Sequence, residues 1–513
     1  MKSLQKEQEF HDSYERAVEK ARSKLGRTYP MMIDGKEVWS KDGTFLDKNP
    51  ANTDQIVGVF QKGTREDAKS AIRAAKDAFD SWSQTPYHVR VGLYRKAADL
   101  MSREKFNLAA EMSFENGKNR FEAMADVDEA IDFLRYYSNE LEVNGGFERE
   151  MGHVLPNEHA KSILRPYGVW SVIAPFNFPL AIPTGMSTGA SITGNTIVLK
   201  PASDTPLLSF ELYKVMETAG IPHGVFNYVT GPGSTLGAEL TENRDVGGVV
   251  FTGSWDVGAR SSMEFQRELP RPFIAEMGGK NATVVTQNAD LEKASEGVIR
   301  AAFGFGGQKC SACSRVYVQK SVKDQFVGKL VDKTLKINIG DPTKKETFLG
   351  PLINESAYKN FQSYIGDAKS SGKVLCGGSA LKEEQYSKGY FVQPTIVVDS
   401  RSDSRLLKTE LFVPILLVQE YEDLQEAIKE MNSVEYGLTG GIFSNDKGEL
   451  DEFFAKAQAG VLYANRASGS TTGAVVGVQP FVGWKRSGSS GKGAGGPYYL
   501  PQFLREQSQT FYD

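Results

Sequence analysis

What most constrains this chain is a rhythm of short apolar runs. Between residues 168 and 253 the Val/Ile-rich stretches GVWSVIA (168–174), TIVLKP (196–201), VFNYVTG (225–231) and VGGVVFTG (246–253) alternate with amphipathic segments such as 207–219. Runs of that length read as strands buried on both faces, and helical segments between them supply the crossovers a parallel sheet needs, so the chain is of the α/β class. From Lys280 the rhythm restarts with NATVVT, the segment ADLEKASEGVIRAAFGF, the run RVYVQ at 315–319 and a long helical pattern from Val322. A second α/β unit is expected there, as 513 residues exceed what one core holds. Residues 145–165 form a Gly-bounded alternating segment that reads as a hairpin interrupting the first unit, either a surface hairpin or one that pairs with another subunit.

Charge and composition narrow the partners. Sixty Lys and Arg against 64 Asp and Glu leave a formal charge of -4, which gives no field for gripping a nucleic-acid backbone or an anionic membrane. Three cysteines (Cys310, Cys313, Cys376) and five histidines are too few for a disulfide framework or a zinc cluster, so no metal is expected and a reducing, cytoplasmic setting fits. Residues 1–25 mix charges throughout, lack the apolar run of a secretory signal and read as a solvated amphipathic helix. No charge falls between Arg165 and Lys200, but Pro175, Pro179, Pro183, Gly185, Gly189 and Gly194 cut its apolar runs well short of the roughly 20 residues a helical membrane span needs. A buried strand and turn are expected instead.

Two glycine turns follow strands. Gly231, Gly233 and Gly237 lie in TGPGSTLG, with a last spacing one residue longer than G-x-G-x-x-G, and FTGSWDVG (251–258) opens a helical segment. Each alone is as well explained by a plain strand-to-helix turn. Two on consecutive strands point to a dinucleotide across this sheet edge, because helix N-termini favour a diphosphate. Cys310, in AFGFGGQKCSACSR, reads as a buried structural thiol, as half of a CxxC redox or zinc pair with Cys313, or as a nucleophile. The last needs part of the thiol ionised, which is only a few per cent, roughly, at pH 7 unperturbed. Lys309 and nearby main-chain N–H groups would raise that fraction. No histidine is close in sequence, so the partner base would be a carboxylate. Glu276, in FIAEMGGKN, reads either as a hydrogen-bonded structural residue or cap, or as a desolvated carboxyl with a raised pKa, suited to take a proton from water.

The motifs PFNFP (175–179), LKPASDTP (199–206), FTGS (251–254), EMGGKN (276–281), FGGQKCSACSR (305–315) and ELFVP (410–414) occur in the order and spacing of the aldehyde dehydrogenase superfamily, which the chain resembles from about residue 30 to its end. The resemblance implies a Rossmann-like NAD-binding domain (1–144 and 166–276), an α/β catalytic domain (277–478) and a small β oligomerisation element (145–165 and 479–513), in at least a homodimer. It implies that Cys310 attacks an aldehyde, that Asn177 and the Cys310 N–H hold the alkoxide, and that Glu276 activates water to hydrolyse a thioester. Cofactor binding falls by resemblance to Ala174, Pro175, Phe176, Lys200, Ser203, Gly233, Thr252, Gly253, Ser254, Val257, Met277, Gly278, Glu410 and Phe412. Without it, Lys200 and Glu410 would be surface charges. GGQKCSAC and TGAVVGVQPF (472–481) resemble the branch that oxidises glutamate γ-semialdehyde to glutamate in proline breakdown. Ser311 and the main chain of Gly473 and Ala474 would then bind the substrate carboxylate, with Phe178 and Phe481, otherwise core aromatics, sandwiching its aliphatic middle.

Four departures bear on specificity. Ser203 replaces the Glu with which many NAD-preferring relatives repel a 2′-phosphate, so the expected cofactor is NAD with NADP open. The loop ASGST before Thr472 is longer than usual for the branch, PFVGW stands where PFGG is commoner, and ELFVP where ELFGP is. Other anionic semialdehydes, of succinate or α-ketoglutarate, are the alternative substrates, and a non-catalytic nucleotide-binding protein on the same fold is the alternative of another class.

Overall fold

The computed structural model describes residues 2–467 and 475–513. Two seven-stranded sheets carry the molecule. The first runs, edge to edge, Phe273–Met277, Val246–Gly253, Val169–Ile173, Thr196–Lys200, Phe226–Tyr228, Met31–Ile33, Lys36–Val38, its first five strands mutually parallel and its last two pairings antiparallel. Its side chains obey the strand period of two: Trp170, Val172, Ile197 and Leu199 enter the core on one face, Val169, Val198, Val249 and Phe251 the core on the other. Because the chain leaves Val169–Ile173 on one side and returns on the other, a crevice opens at the carboxyl ends of Val169–Ile173 and Val246–Gly253, the switch point where α/β sheets bind ligands.

The second sheet runs Lys373–Cys376, Thr395–Val398, Ile415–Tyr421, Cys313–Gln319, Asn281–Val285, Thr439–Phe443, Val461–Ala464, parallel except for its first strand. The chain passes from the carboxyl end of the first sheet to the start of the second through Gly278–Lys280 alone. A separate three-stranded sheet joins Glu148–Glu150 and Glu158–Pro166 to the C-terminal Leu504–Tyr512, which pairs along its whole length from Leu504 opposite Pro166 to Tyr512 opposite Glu158. Residues 481–494 stay with the body of the protein, where Phe481 pairs with Ala494 and both face the central cavity.

Two regions differ from the sequence expectation. The uncharged stretch is strand, turn and a further helix, Ala181–Ile192, whose residues are buried almost throughout. Pro183 is harmless in its first turn. The N-terminal helix Lys2–Arg22 is docked: Tyr14, Ala17, Val18 and Ala21 are buried, and the Tyr14 hydroxyl donates to the Ala109 carbonyl at 2.9 Å. Long helices Tyr87–Asn116 and Arg120–Val143 meet at NGKN (116–119). There Gly117 ends the first in the left-handed conformation (φ 79°), and the Asn119 carboxamide caps the second, accepting from the N–H groups of Phe121 (3.1 Å) and Glu122 (3.0 Å).

Candidate active site

The crossing between the sheets explains why EMGGKN and the cysteine turn belong together. Strand Phe273–Met277 carries Glu276 as its penultimate residue, and strand Asn281–Val285 begins beside Cys313. The Asn281 carboxamide donates to the carbonyls of Cys310 (2.7 Å) and Ala312 (2.9 Å), fixing the turn that bears Cys310. A Cβ on Gly279 would lie 2.4 Å from the Cys310 carbonyl oxygen, a main-chain atom, and one on Gly278 would lie 2.1 Å from Glu410 Oε2, so that the carboxyl would have to turn aside. Lys200 is buried and Glu410 is half-buried, so neither is a surface charge. Glu410 accepts the Gly279 N–H at 2.8 Å, and Lys200 donates to the Pro201 carbonyl at 2.9 Å.

Cys310 and Glu276 line the same cavity, of about 800 Å³. Burial pushes the Cys310 thiol up, the carboxylates of Glu410 and Glu276 push it further, and the N–H groups of Ser311 and Cys310 oppose them. Lys309 does not supply the activation expected of it: its ammonium is held by Glu122 at 2.6 Å. Burial likewise drives Glu276 well above the usual carboxylate range, and its Oε2 has no hydrogen-bond partner among the described residues. A carboxyl so placed has a free oxygen and a poor water shell, the environment that makes a base effective near or above neutrality. Cys313 is a core thiol at the start of its strand, with Sγ 3.3 Å from Thr283 Oγ1 and from the Arg315 carbonyl oxygen.

Of the residues expected to contact substrate, Phe178, Ser311 and Phe481 line this cavity with Cys310 and Glu276, and so does Thr252 from the cofactor set. Gly473 and Ala474, with most of the ASGST insertion, lie outside the described residues. Asn177 is buried next to Phe178 in the turn after Val169–Ile173. Sequence reasoning missed an acidic stripe on helix Arg120–Val143, where Glu122, Asp126 and Glu129 recur at i, i+4 and i+7, one face of a helix. Asp126 pairs with Lys118 at 2.6 Å and accepts the Ala181 N–H at 2.7 Å, and the Lys118 ammonium stands 3.7 Å from the centre of the Phe178 ring. Glu129 faces the cavity, its pKa pushed up to about 8 by burial and by Asp126.

The rest of the cofactor set lies along the carboxyl ends of the first sheet. Ala174, Pro175 and Phe176 follow Ile173; Gly253 and Ser254 follow Thr252; Met277 ends the edge strand and Gly278 follows it. Ser254 is the N-cap of helix Trp255–Phe265 and makes no side-chain capping bond, and helix Gly233–Glu242 starts after Pro232 equally uncapped. Two uncapped N-termini at a switch point fit the diphosphate of a dinucleotide. Val257 and Ser203 are exposed beside the crevice, while Phe412, at φ 57°, sets its ring edge-on to Phe176 with centroids 5.8 Å apart.

Residues 38–508 match the model of the aldehyde dehydrogenase family. The chain belongs to that family. Among curated relatives, the 1-pyrroline-5-carboxylate dehydrogenase of Geobacillus thermodenitrificans is 40% identical over 500 residues, covering 96% of this chain and 94% of that protein. Among solved structures, a Thermus 1-pyrroline-5-carboxylate dehydrogenase with bound NAD superposes with a TM-score of 0.93 at 35% identity, covering 98% of this chain and 96% of the other. A Staphylococcus aureus betaine aldehyde dehydrogenase in complex with NAD+ gives 0.91 at 29% identity, covering 98% and 97%. The aldehyde dehydrogenase fold expected from the sequence is the fold found, and no helix among the described residues is long and apolar enough to cross a membrane.

Proposed function

We propose that this aldehyde dehydrogenase oxidises L-glutamate γ-semialdehyde, the open form of 1-pyrroline-5-carboxylate, to L-glutamate, with NAD as the cofactor. The observation that carries the substrate is the make-up of the cavity before Cys310: two phenyl rings, Phe178 and Phe481, the Ser311 hydroxyl, and the Glu129 carboxyl. Rings suit an aliphatic middle, hydroxyl and main-chain N–H donors suit a carboxylate, and Glu129 suits an ammonium. That set describes an amino-acid semialdehyde, and the names of the relatives agree with it.

The Cys310 thiol loses its proton to solvent, and the thiolate attacks the aldehyde carbon to form a thiohemiacetal whose oxyanion is held by the Asn177 carboxamide and the Cys310 N–H, donors whose individual loss typically costs on the order of 100-fold. Ala174–Phe176, Lys200, Ser203, Gly233, Thr252–Ser254, Val257, Met277, Gly278, Glu410 and Phe412 would hold NAD, which when bound would supply the acceptor for the hydride of the former aldehyde carbon. Cys310 then carries a thioester. Glu276 accepts a proton from water as its oxygen bonds to the thioester carbon, and cleavage of the C–S bond releases the acid and regenerates the thiol.

We assign 1–144 and 166–276 to the cofactor domain, 277–478 to the catalytic domain, and 145–165 with the strand Leu504–Tyr512 to an arm that pairs subunits in at least a homodimer. A cytoplasmic location is supported by the three free thiols. The decisive experiment is a panel of glutamate, succinate and α-ketoglutarate semialdehydes, each with NAD and NADP, compared by kcat/KM. Highest turnover is expected with glutamate γ-semialdehyde and NAD; a clear preference for a semialdehyde without an amino group would replace the substrate assignment.

A further inference from the structure

We propose that Glu122 is a positioning residue for the nucleophile, clamping the loop that presents Cys310 from both of its ends; this rests on the role of Cys310 proposed above but not on which aldehyde it attacks. The loop needs outside support. Phe305 (φ 49°, ψ 34°), Gly306 (φ 64°, ψ 26°) and Gly307 (φ 67°) all sit in left-handed conformations, and for Phe305 that is one L side chains rarely adopt. A run of this kind persists only where surrounding contacts over-determine it.

Glu122 supplies two such contacts from a different element. Its Oε2 accepts the N–H of Phe305 at 2.9 Å, and its Oε1 accepts the Lys309 ammonium at 2.6 Å. The first contact holds the entry of the loop and the second holds the residue before Cys310. Gly304 leaves the room: a Cβ there would stand 2.8 Å from Glu122 Oε1 and 3.2 Å from Lys309 Nζ. Both side chains are only 20% exposed, so water competes weakly for either bond. Glu122 is itself fixed, since Asn119 accepts its N–H at 3.0 Å and donates to the Phe348 carbonyl at 2.7 Å. The pair thus transmits the rigidity of a 24-residue helix to the reacting sulfur. It also explains why Lys309 is a strut and not a source of positive charge for the thiol.

The test is the rate at which iodoacetamide alkylates Cys310 in the full-length protein without aldehyde or NAD, located by mass spectrometry, alongside steady-state kinetics. Glu122→Ala is expected to slow alkylation and kcat together by about ten- to a hundredfold, as a displacement of order 1 Å does, with KM for NAD unchanged. Glu122→Gln keeps an oxygen acceptor for the Phe305 N–H and should recover most of that loss. Lys309→Met should fall between, and the Glu122→Ala/Lys309→Met double variant should be no slower than Glu122→Ala alone, because both remove one clamp. Normal alkylation with reduced kcat, equal losses in Glu122→Gln and Glu122→Ala, or additive losses in the double variant would each overturn the proposal. If Glu122→Ala melts early, Glu122→Gln and Lys309→Met decide the matter. Should the wild type alkylate at Cys310 yet oxidise no aldehyde, the function proposed above fails while the clamp is still read from alkylation.

Discussion

The contact between Gly278 and Glu410 allows a sharp test of the cofactor side. In Gly278→Ala the new Cβ would lie 2.1 Å from Glu410 Oε2, 2.6 Å from Cδ and 2.7 Å from Oε1, where ordinary contact begins at 3.4 Å. The carboxyl must retreat by 3.4 − 2.1 = 1.3 Å, which breaks its 2.8 Å bond from the Gly279 N–H. A hydrogen bond to a charged group is worth about 1.5–3 kcal/mol, so a fall of roughly 10- to 150-fold in kcat/KM for NAD is expected, with little change in the rate of Cys310 alkylation. The control is the same substitution beside Glu410→Ala. Once the carboxyl is gone the Cβ meets nothing charged, so Gly278→Ala should be nearly silent there. Steady-state kinetics with NAD varied, on four proteins of checked melting temperature, reads the cycle. Wild-type kinetics in Gly278→Ala, or an equal loss in both backgrounds, would refute the reasoning.

Glu276→Gln should turn over about 10² to 10⁴-fold more slowly while keeping a stopped-flow burst of NADH, because thioester forms but is not hydrolysed; absence of the burst would move Glu276 to an earlier step. The same variant has a stability signature. The folded pKa of Glu276 is raised by burial, so its contribution is fully present below the ordinary carboxyl pKa and lost as pH rises toward the folded value. Glu276→Gln should therefore melt above the wild type at pH 8 and not at pH 4, the gap growing by at most about 1.4 kcal/mol per pH unit between the two pKa values. Burial pushes Glu410 up to about 7, so KM for NAD should fall as pH rises through neutrality and the carboxylate forms; a flat wild-type profile, or a slope that persists in Glu410→Gln, would argue against its role. Ser203→Glu should lower NADP use by roughly tenfold or more and spare NAD, through like-charge repulsion of a 2′-phosphate. Removing residues 504–513 strips the partner strand from Glu158–Pro166 and should lower the mass seen by light scattering; an unchanged oligomer would remove the arm from the interface.

The strand rhythm carried the two sheets and both glycine turns, because buried strands and uncapped helix starts are local properties of the chain. What escaped the sequence depends on tertiary placement. Helix Ala181–Ile192 looked like a turn since Pro183, Gly185 and Gly189 weaken its propensity, yet Gly189 is needed there: a Cβ would come 2.8 Å from the Phe503 ring. Lys200 and Glu410 read as surface charges without the family motifs, because nothing local reports that a charge will be buried. The stripe Glu122, Asp126 and Glu129 has the same spacing whether its face meets water or a cavity. Lys309 shows the same limit in reverse: its place beside Cys310 suggested activation, and an acid 187 residues away in sequence claims it.

The crossing at Met277–Asn281 has a mechanical consequence. On one side Ser487 takes the Met277 N–H on its carbonyl at 2.9 Å and gives its hydroxyl to the Gly278 carbonyl at 2.7 Å; on the other, Asn281 grips the cysteine turn. A chain stapled on both flanks is poorly placed to act as a hinge, since bending it would release the support of the Cys310 turn in the same movement. Room for a dinucleotide to enter and leave must then come from side chains and loops around the crevice, because the main chain between Glu276 and the cysteine turn is held from both sides.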